Sequence, residues 1–524
     1  MKIILIRHGE SVGNTKKGFI SGRNDPEGLT NRGKVQIIRS AYELRKEKPD
    51  YFLASPVLRA QETAGILNHY FHKKIQTKEW LTELHHGLME GSYWWEVIDQ
   101  IPSSWRSKRE DYTSAYPGGG ESMKMLVERA WNGLEELFSS VDEKSTIFIV
   151  SHQAVIAALR FALQYGNPVD IRTPSQEDDF LQFIHSTKLP NGGFVIAQTE
   201  KRKLIEISEF SEFPPLKERK DNVLFYFKGL IPTGKINQIH TLPTASANAV
   251  YQISHDEDHI LKILHEKTVS SATRQADLYT YLNKKNIPVP HVSFYDKSEV
   301  FYKDPVFVQD FVNGVHQGKC LKHHHKNMPN LLKDIYKKLE EIHKLPVEDV
   351  HTFWFPQVDK QFQSWRTFMM FNINLTIHYL SGSNIDKERN IRICDQLREL
   401  RGYIQDNKYA RVPLQGDLAP ENIIVSHTSG KLIRIIDFEW ARIGDALWDY
   451  AYYYGWLERE DEATAREWHT LLEGKMSKKN MDIIHLYRIL FHAWTMRDMQ
   501  EYKGSRIRLR RGKRSREILE TDSS

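Results

Sequence analysis

The pattern of apolar and polar positions changes character partway along this chain. In the first 155 residues, three short apolar runs at 2–6, 51–54 and 146–150 each end in polar residues, namely Arg7-His8, Ser55-Pro56 and Ser151-His152. Between them, stretches such as 30–46 and 121–138 repeat their apolar residues at helical spacing. Strands alternating with helices predict a parallel sheet with right-handed crossovers, whose ligands bind beyond the carboxyl ends of the strands. All three polar clusters fall at those ends, so one shared pocket is expected. Asn191-Gly192-Gly193 reads as a turn between two further strands, the second ending near residue 207.

Residues 208–222 carry Pro214-Pro215 and a run of charges with little to bury, and read as a linker. From 223 the pattern predicts short strands to about 264, a helix through 282, more strands to 312, then mostly helix. A small strand-rich lobe before a larger helical lobe outlines a kinase-like fold. The expected division is 1–207, a linker at 208–222, 223–502, and a basic tail at 503–524.

Length agrees: 524 residues exceed the roughly 250–300 at which single cores stop growing. Hydrophobic residues at 40% and charged residues at 27% suit a folded chain. No apolar run approaches the roughly 18–20 residues of a membrane span, and the apolar start at 2–6 is too short for a signal peptide. Two cysteines, Cys320 and Cys394, are too few for a disulfide framework or a cysteine zinc site, so a reducing cytoplasm is expected. The net charge of +5 is concentrated: eight basic residues and no acid lie between Lys503 and Arg516. The rest is near neutral, which argues against nucleic acid as the main partner. The tail reads as a solvated helix end or disordered segment, with an anionic partner as its alternative.

The chemistry at the strand ends is specific. A neutral imidazole at His8 can attack phosphorus, and the adjacent Arg7 guanidinium can hold phosphate oxygens in bidentate fashion. Arg59 opens a helix after the second strand, where backbone N–H groups favour an anion. His152 follows the third strand and can donate to the same phosphate, while Glu83 can protonate a departing alkoxide. Nearby arginines should keep His8 unprotonated at neutral pH. This combination resembles the histidine phosphatase (phosphoglycerate-mutase-like) superfamily over roughly 1–207. The motifs that carry the resemblance are Arg7-His8-Gly9-Glu10 with Asn14 following, Ser55 to Ala64, the stretch at 81–91, Pro117 to Ser122, and Ser151-His152. It implies a three-layer α/β domain with a mainly parallel sheet. It also implies His8 as the phosphorylated nucleophile, Arg7, Asn14, Arg59 and His152 as phosphate ligands, and Glu83 as proton donor. Gln153 stands where glycine is usual. Tyr93, Trp94 and Trp95 read as packing, with lining of the substrate side as their alternative.

In the second half, Gly416-Asp417-Leu418-Ala419-Pro420-Glu421-Asn422 offers a carboxylate to accept a hydroxyl proton and an oxygen ligand five residues on. An apolar strand then ends in Asp437, a second hard ligand, as Mg2+-dependent phosphoryl transfer requires. Lys262 lies inside an apolar strand, which is costly unless its ammonium reaches a phosphate or carboxylate. The strand 307–312 should link the lobes and offer backbone groups to adenine. These residues resemble the aminoglycoside phosphotransferase and choline kinase family over roughly 223–500, with Leu339 to Pro346 and Gly444 to Asp449 also matching. The resemblance implies a bilobal kinase-like α+β domain using ATP and Mg2+. Asp417 would be its base and Asn422 and Asp437 its metal ligands, with Asn248, Lys262, Gln309 and Phe311 at the nucleotide. Gln415 replaces the family's histidine and Gln275 the glutamate expected to pair with Lys262.

Together these readings predict a bifunctional enzyme: a phosphomonoester phosphatase or mutase fused to a kinase for a small hydroxyl compound. The alternative is a phosphatase regulated by a non-catalytic nucleotide-binding module. The aromatic run 448–456 reads mainly as core, with a cage for a quaternary ammonium as its alternative. Glu458, Glu460, Asp461 and Glu462 read as a solvated helix start, with attraction of a cationic acceptor as theirs.

Overall fold

A computed structural model describes residues 1–524 apart from 24–25, 101–111, 167–173, 212, 232–235, 237, 243–248, 255–257, 265–268, 322–326, 350–363, 383–385, 407, 439, 502–505 and 522–524. The chain forms two compact units. The first comprises residues 1–239 with 254–256 and 296–306, and the second comprises 240–253, 257–295 and 307–524.

In the first unit, the strands Tyr51–Ala54, Thr146–Ser151 and Lys2–Arg7 lie side by side in parallel, with Ile75–Thr77 parallel at the outer edge of Tyr51–Ala54. Phe194–Glu200 and Lys203–Phe210 complete the sheet in antiparallel sense, so it is mixed but mainly parallel. Ile3, Ile4, Leu5 and Ile6 are all fully buried. That is the continuous apolar pattern of a strand covered on both faces. The helices Met123–Ser140 and Gln153–Tyr165 pack with Ile3, Leu5, Ile147 and Ile149 in one core.

The hairpin turn is not at Asn191-Gly192-Gly193, which instead leads into the strand Phe194–Glu200. The chain reverses at Lys201 and Arg202, both at positive φ. Residues 208–222 are not a plain linker either. Strand continues to Phe210, Leu216 bridges Tyr302, and a helix begins at Lys220. The strand expected from 223 is that helix, Lys220–Leu230. Val223, Tyr226 and Phe227, spaced three and four apart, bury one of its faces, and Phe225 stacks on Tyr70 at 4.1 Å.

The second unit begins with a five-stranded sheet in the order Val292–Asp296, Val306–Asp310, His259–Ile263, Ala249–Ser254, Gln238–Leu242, with the helix Val269–Lys284 after its third strand in sequence. Helices dominate from Met328 onward. Short strands Arg411–Leu414, Ile423–Val425, Leu432–Ile435 and Arg442–Asp445 carry the loops between them. The basic tail is a helix, Arg506–Thr521, and belongs to this core. Leu519 and Ser515 are buried, and the Ser515 hydroxyl bonds the buried His492 ring at 3.2 Å. Gly512 and Ser515, with Leu519 as an aliphatic anchor, give the helix an inward face that the charge count concealed. Among the described residues no helix is long and apolar enough to cross a membrane.

Candidate active sites

In the first unit the parallel strands deliver their polar ends to one place. His8 (2% exposed), Arg59 (3%) and His152 (0%) are buried together, with the two imidazole rings 5.1 Å apart. His8 Nδ1 donates to the Gly9 carbonyl at 2.7 Å, and Arg59 Nε donates to His8 Nε2 at 3.1 Å. A nitrogen facing a carbonyl must carry the proton and one facing a guanidinium must offer its lone pair, so the ring is the Nδ1–H tautomer. Burial, then Arg59 and Arg7, hold His8 well below its ordinary pKa. Burial and the same arginines, with His8, lower His152 as well. Its Nε2 pairs with the Ser55 hydroxyl at 2.8 Å.

Gly9 permits this layout. A Cβ there would lie 2.4 Å from the Gly33 carbonyl, so only glycine lets the His8 loop cross the helix Asn31–Leu44 so closely. Arg7 Nη1 donates to the Leu189 carbonyl, and Leu189 N–H donates to Gln153 Oε1 at 2.9 Å. Gln153, where glycine was expected, thus braces the segment that aims Arg7. Burial lowers the Arg7 guanidinium, Glu83 opposes that shift, and Arg59 adds to it. Glu83 therefore faces the same cationic pocket, while its Oε1 accepts from Leu84 N–H at 2.9 Å. Asn14 is placed differently. Its Oδ1 accepts from Ser11 N–H and from Asn191 Nδ2, both at 3.1 Å, so its amide closes the loop around His8. Asn191 Nδ2 also reaches the His8 carbonyl at 3.2 Å. Trp94 and Trp95 are about half exposed rather than packed away.

Sequence reasoning passed over Ser55 and Arg23. Ser55 sat in the quoted motif without a role. Arg23 bonds the Glu83 carbonyl at 2.8 Å and pairs with Glu121 at 2.6 Å, and no local pattern marks it.

In the second unit, Asn422 and Asp437 are brought together by strand pairing. Ile423 lies opposite Ile435, and Ile436 N–H donates to the Asn422 carbonyl at 2.8 Å. Asn422 Nδ2 donates to the Asp417 carbonyl at 2.8 Å and to Asp417 Oδ2 at 3.3 Å, which leaves Asn422 Oδ1 for a cation. Asp437 has φ of 62° and a buried Oδ1 without a hydrogen-bond partner. A strained aspartate with an orphaned carboxylate oxygen is what a hard cation would complete. Mg2+ takes one or two side chains plus phosphate and water oxygens, so this pair fits it.

Burial pushes the Asp417 carboxyl up to about 7, with Asp437 adding, while hydrogen bonds from Tyr452 and Asn422 hold it down. The Tyr452 hydroxyl donates to Asp417 Oδ1 at 2.6 Å. Gln415 links the two loops: its Oε1 accepts from Asp417 N–H at 2.8 Å and its Nε2 donates to the Asp437 carbonyl at 3.0 Å. Gly416, at φ 84°, is the tight point, where a Cβ would lie 2.1 Å from the Trp440 carbonyl. Asp449 anchors the loop from below, accepting from Gln415 N–H at 2.9 Å, Gly416 N–H at 3.0 Å and His343 Nε2 at 3.0 Å. Tyr452 follows Asp449 by three residues on the helix Ala446–Glu460, hence on the same face. That spacing was the available signal for a residue the sequence reading assigned to core.

At the expected nucleotide end the picture is uneven. Lys262 lies opposite Val250 of the neighbouring antiparallel strand and makes no ion pair among the described residues. Gln275 is buried with its Nε2 unpartnered. Gln309 is buried with Oε1 unpartnered. The Phe311 N–H donates to the Asp258 carbonyl at 2.9 Å, so only its other groups are left for a base. Asn248 lies outside the described residues.

Comparison with known proteins divides the chain in the same way. The family model described as histidine phosphatase superfamily (branch 1) matches residues 3–177, and that of the phosphotransferase enzyme family matches 239–476. Phosphoserine phosphatase 1 of Hydrogenobacter thermophilus is 31% identical over 163 residues, covering 31% of this chain and 76% of that protein. Phosphoglycerate mutase-like protein 4 of Arabidopsis thaliana is 32% identical over 161 residues, 30% of this chain and 69% of that protein. A solved structure of the GDP complex of wild-type aminoglycoside 2'-phosphotransferase-IIIa aligns with 14% identity and a TM-score of 0.46, covering 58% of this chain and 99% of that one.

Proposed function

Because the chain belongs to the histidine phosphatase superfamily and its residues 239–476 match the phosphotransferase enzyme family, we propose a bifunctional enzyme. One centre is a phosphomonoester phosphatase or mutase that works through phosphohistidine at His8. The other is an ATP- and Mg2+-dependent kinase that phosphorylates a hydroxyl of a small molecule.

The observation that carries the first activity is the His8 tautomer, with Nδ1–H on the Gly9 carbonyl and Nε2 turned to Arg59. An incoming phosphate displaces the Arg59 bond from Nε2 onto its own oxygens. Nε2 then attacks phosphorus, the P–O ester bond breaks, and Glu83 protonates the departing alkoxide. Attack of water on phosphohistidine releases phosphate and restores the ring. Transfer to a second hydroxyl instead gives the mutase outcome.

For the second activity, Asp417 at about 7 accepts the acceptor's hydroxyl proton, and Asn422 and Asp437 hold the metal. Bound Mg2+ supplies charge neutralisation at the nucleotide phosphates. Lys262 is the phosphate lysine. The buried Gln275, unpartnered at Nε2 and standing where the family's lysine-pairing glutamate is expected, favours, as a second reading, a module that binds nucleotide without transferring phosphate.

Two assays on one preparation separate these readings. Phosphate release from an aryl phosphate should vanish in His8→Ala, while ADP formation with an alcohol panel persists. Asp437→Ala or Asp417→Asn should do the reverse, with loss of Asp417 slowing transfer by roughly 10²–10⁴. The regulatory reading prevails if wild type forms no ADP with any alcohol while ATP still changes the phosphatase rate.

A further inference from the structure

Two arginines near the Asp417 loop, Arg442 and Arg459, sense carboxylates around them but make no direct ion pair among the described residues. Arg442 is 7% exposed. Its Nε donates to the Trp440 carbonyl at 2.9 Å, the same oxygen against which Gly416 packs, so its guanidinium and the Gly416–Asp417 peptide converge on one point. Its planar group lies 4.2 Å from the Phe368 ring centre and 5.3 Å from that of Trp440. Arg459 lies 3.9 Å from the Trp456 ring and 4.6 Å from Phe491, which packs edge-on against Tyr452 at 5.0 Å. Arg459 Nη1 bonds the Thr495 hydroxyl at 3.3 Å, and its buried Nε has no partner. Neither arginine makes an ion pair among the described residues.

The nearby carboxylates are already engaged. Asp449 holds Gln415, Gly416 and His343. Asp417 receives Tyr452 and Asn422. Glu421 pairs with Arg511 from the C-terminal helix. Three of the four acids once open to a cationic acceptor are also occupied, and the fourth, Glu460, is exposed and acts on Arg459. Glu458 pairs with Arg488 at 2.8 Å and His492 at 2.9 Å, Asp461 caps Thr464, and Glu462 meets Arg466 at 3.2 Å. Tyr450 and Tyr453 are buried in the core, so the aromatic run forms no open cage.

A buried guanidinium without a directly paired anion is expensive, and ring faces compensate only part of that cost. Burial accordingly lowers Arg442 to about 10 even with Tyr452, Asp417 and Asp449 opposing. On the reading that this unit is a kinase, we propose that its acceptor is a small alcohol bearing an oxyanion, a carboxylate or a phosphate. Arg442 grips that oxyanion through its terminal nitrogens, Arg459 adds field, and the hydroxyl is presented to Asp417. The acceptor O–H proton passes to Asp417, the new O–P bond forms, the bond from the γ-phosphorus to the β-bridging oxygen breaks, and ADP leaves.

The test uses the full chain with ATP and Mg2+, and calorimetric titration alongside ADP formation. Glycerate and glycerol 3-phosphate represent the two oxyanions, with glycerol and 2-aminoethanol as neutral and cationic counterparts. The proposal expects at least one oxyanion probe to bind and react better than the uncharged and cationic ones. Arg442→Gln should raise its KM and its dissociation constant by roughly 10–100-fold, as loss of a charge-assisted hydrogen bond does, with kcat far less affected. Arg442→Lys should fall between. Removing an unpaired buried charge should leave the melting temperature unchanged or higher, so the Gln variant is expected to fold. Equal behaviour of wild type and Arg442→Gln, preference for glycerol or 2-aminoethanol, or no Arg442-dependent binding of either oxyanion overturns it. Arg442-dependent binding without ADP from any alcohol upholds the anion site and rejects the kinase reading beneath it.

Discussion

Two buried titratable groups are shifted in opposite directions: His8 is held in the neutral form that a nucleophile requires, and Asp417 is made a stronger base near neutral pH. His8 is held neutral by burial and by Arg59 and Arg7, and Asp417 is raised to about 7 by burial. The histidines carry a stability consequence. An unfolded imidazole titrates near 6.5, whereas folded His8 and His152 titrate well below that. Between those values the unfolded chain binds protons that the native state refuses, so stability is full above about 6.5 and falls as pH drops below it. Each such histidine contributes a slope of about 1.4 kcal/mol per pH unit. Urea unfolding of the first unit at pH 7.5 and 5.5 should show this loss, and a double His8→Ala, His152→Ala variant should flatten it. For Asp417, the Tyr452 hydroxyl is the leading downward influence. Tyr452→Phe should therefore move the acid limb of the ADP-forming rate to higher pH, with activity depressed at pH 6.5 and largely recovered at 8.5. An unmoved limb would separate Tyr452 from the base. His8 and Asp417 were legible in the sequence because their motifs are contiguous. Tyr452 and Arg442 were not, because packing brings them in from a helix and a strand beyond the loop.

At the level of elements, short connections aim the chemistry. The helix Gln153–Tyr165 begins at His152, and its first side chain fastens Leu189, whose carbonyl takes Arg7. Gln153→Ala should raise the KM for a phosphomonoester roughly 5–30-fold, about the value of one hydrogen bond, without moving the pH dependence of kcat/KM. The strands 2–6, 51–54 and 146–150 were readable because continuous apolar runs admit few alternatives at that length. The helix Lys220–Leu230 was misread as strand because a short apolar run leaves the period ambiguous. The C-terminal helix was misread as a tail because its charge outweighs its three small or apolar inward positions, Gly512, Ser515 and Leu519. Leu519→Ala should destabilise the second unit by about 2–5 kcal/mol, measured by thermal or denaturant unfolding. A free tail would leave that unit unchanged.

Across the whole molecule, the two proposed phosphoryl-handling centres sit in two separately cored units, and they are chemically distinct. The first is a cluster of Arg7, Arg59 and His152 around the proposed nucleophile His8. The second is an oxygen-ligand pair beside a carboxylate. Strand ends and loop motifs made both proposed centres visible from sequence, whereas Arg442 and Arg459 emerged only from tertiary packing. The central claim, covalent catalysis at His8, is tested most directly by mixing the full chain with an aryl phosphate, quenching in alkali and locating the modification by peptide mass spectrometry. A single phosphoryl group is expected on the peptide containing His8, absent from His8→Ala and stable to base but not acid. Phosphate turnover with no such adduct under burst conditions, or an adduct that persists in His8→Ala, would contradict it.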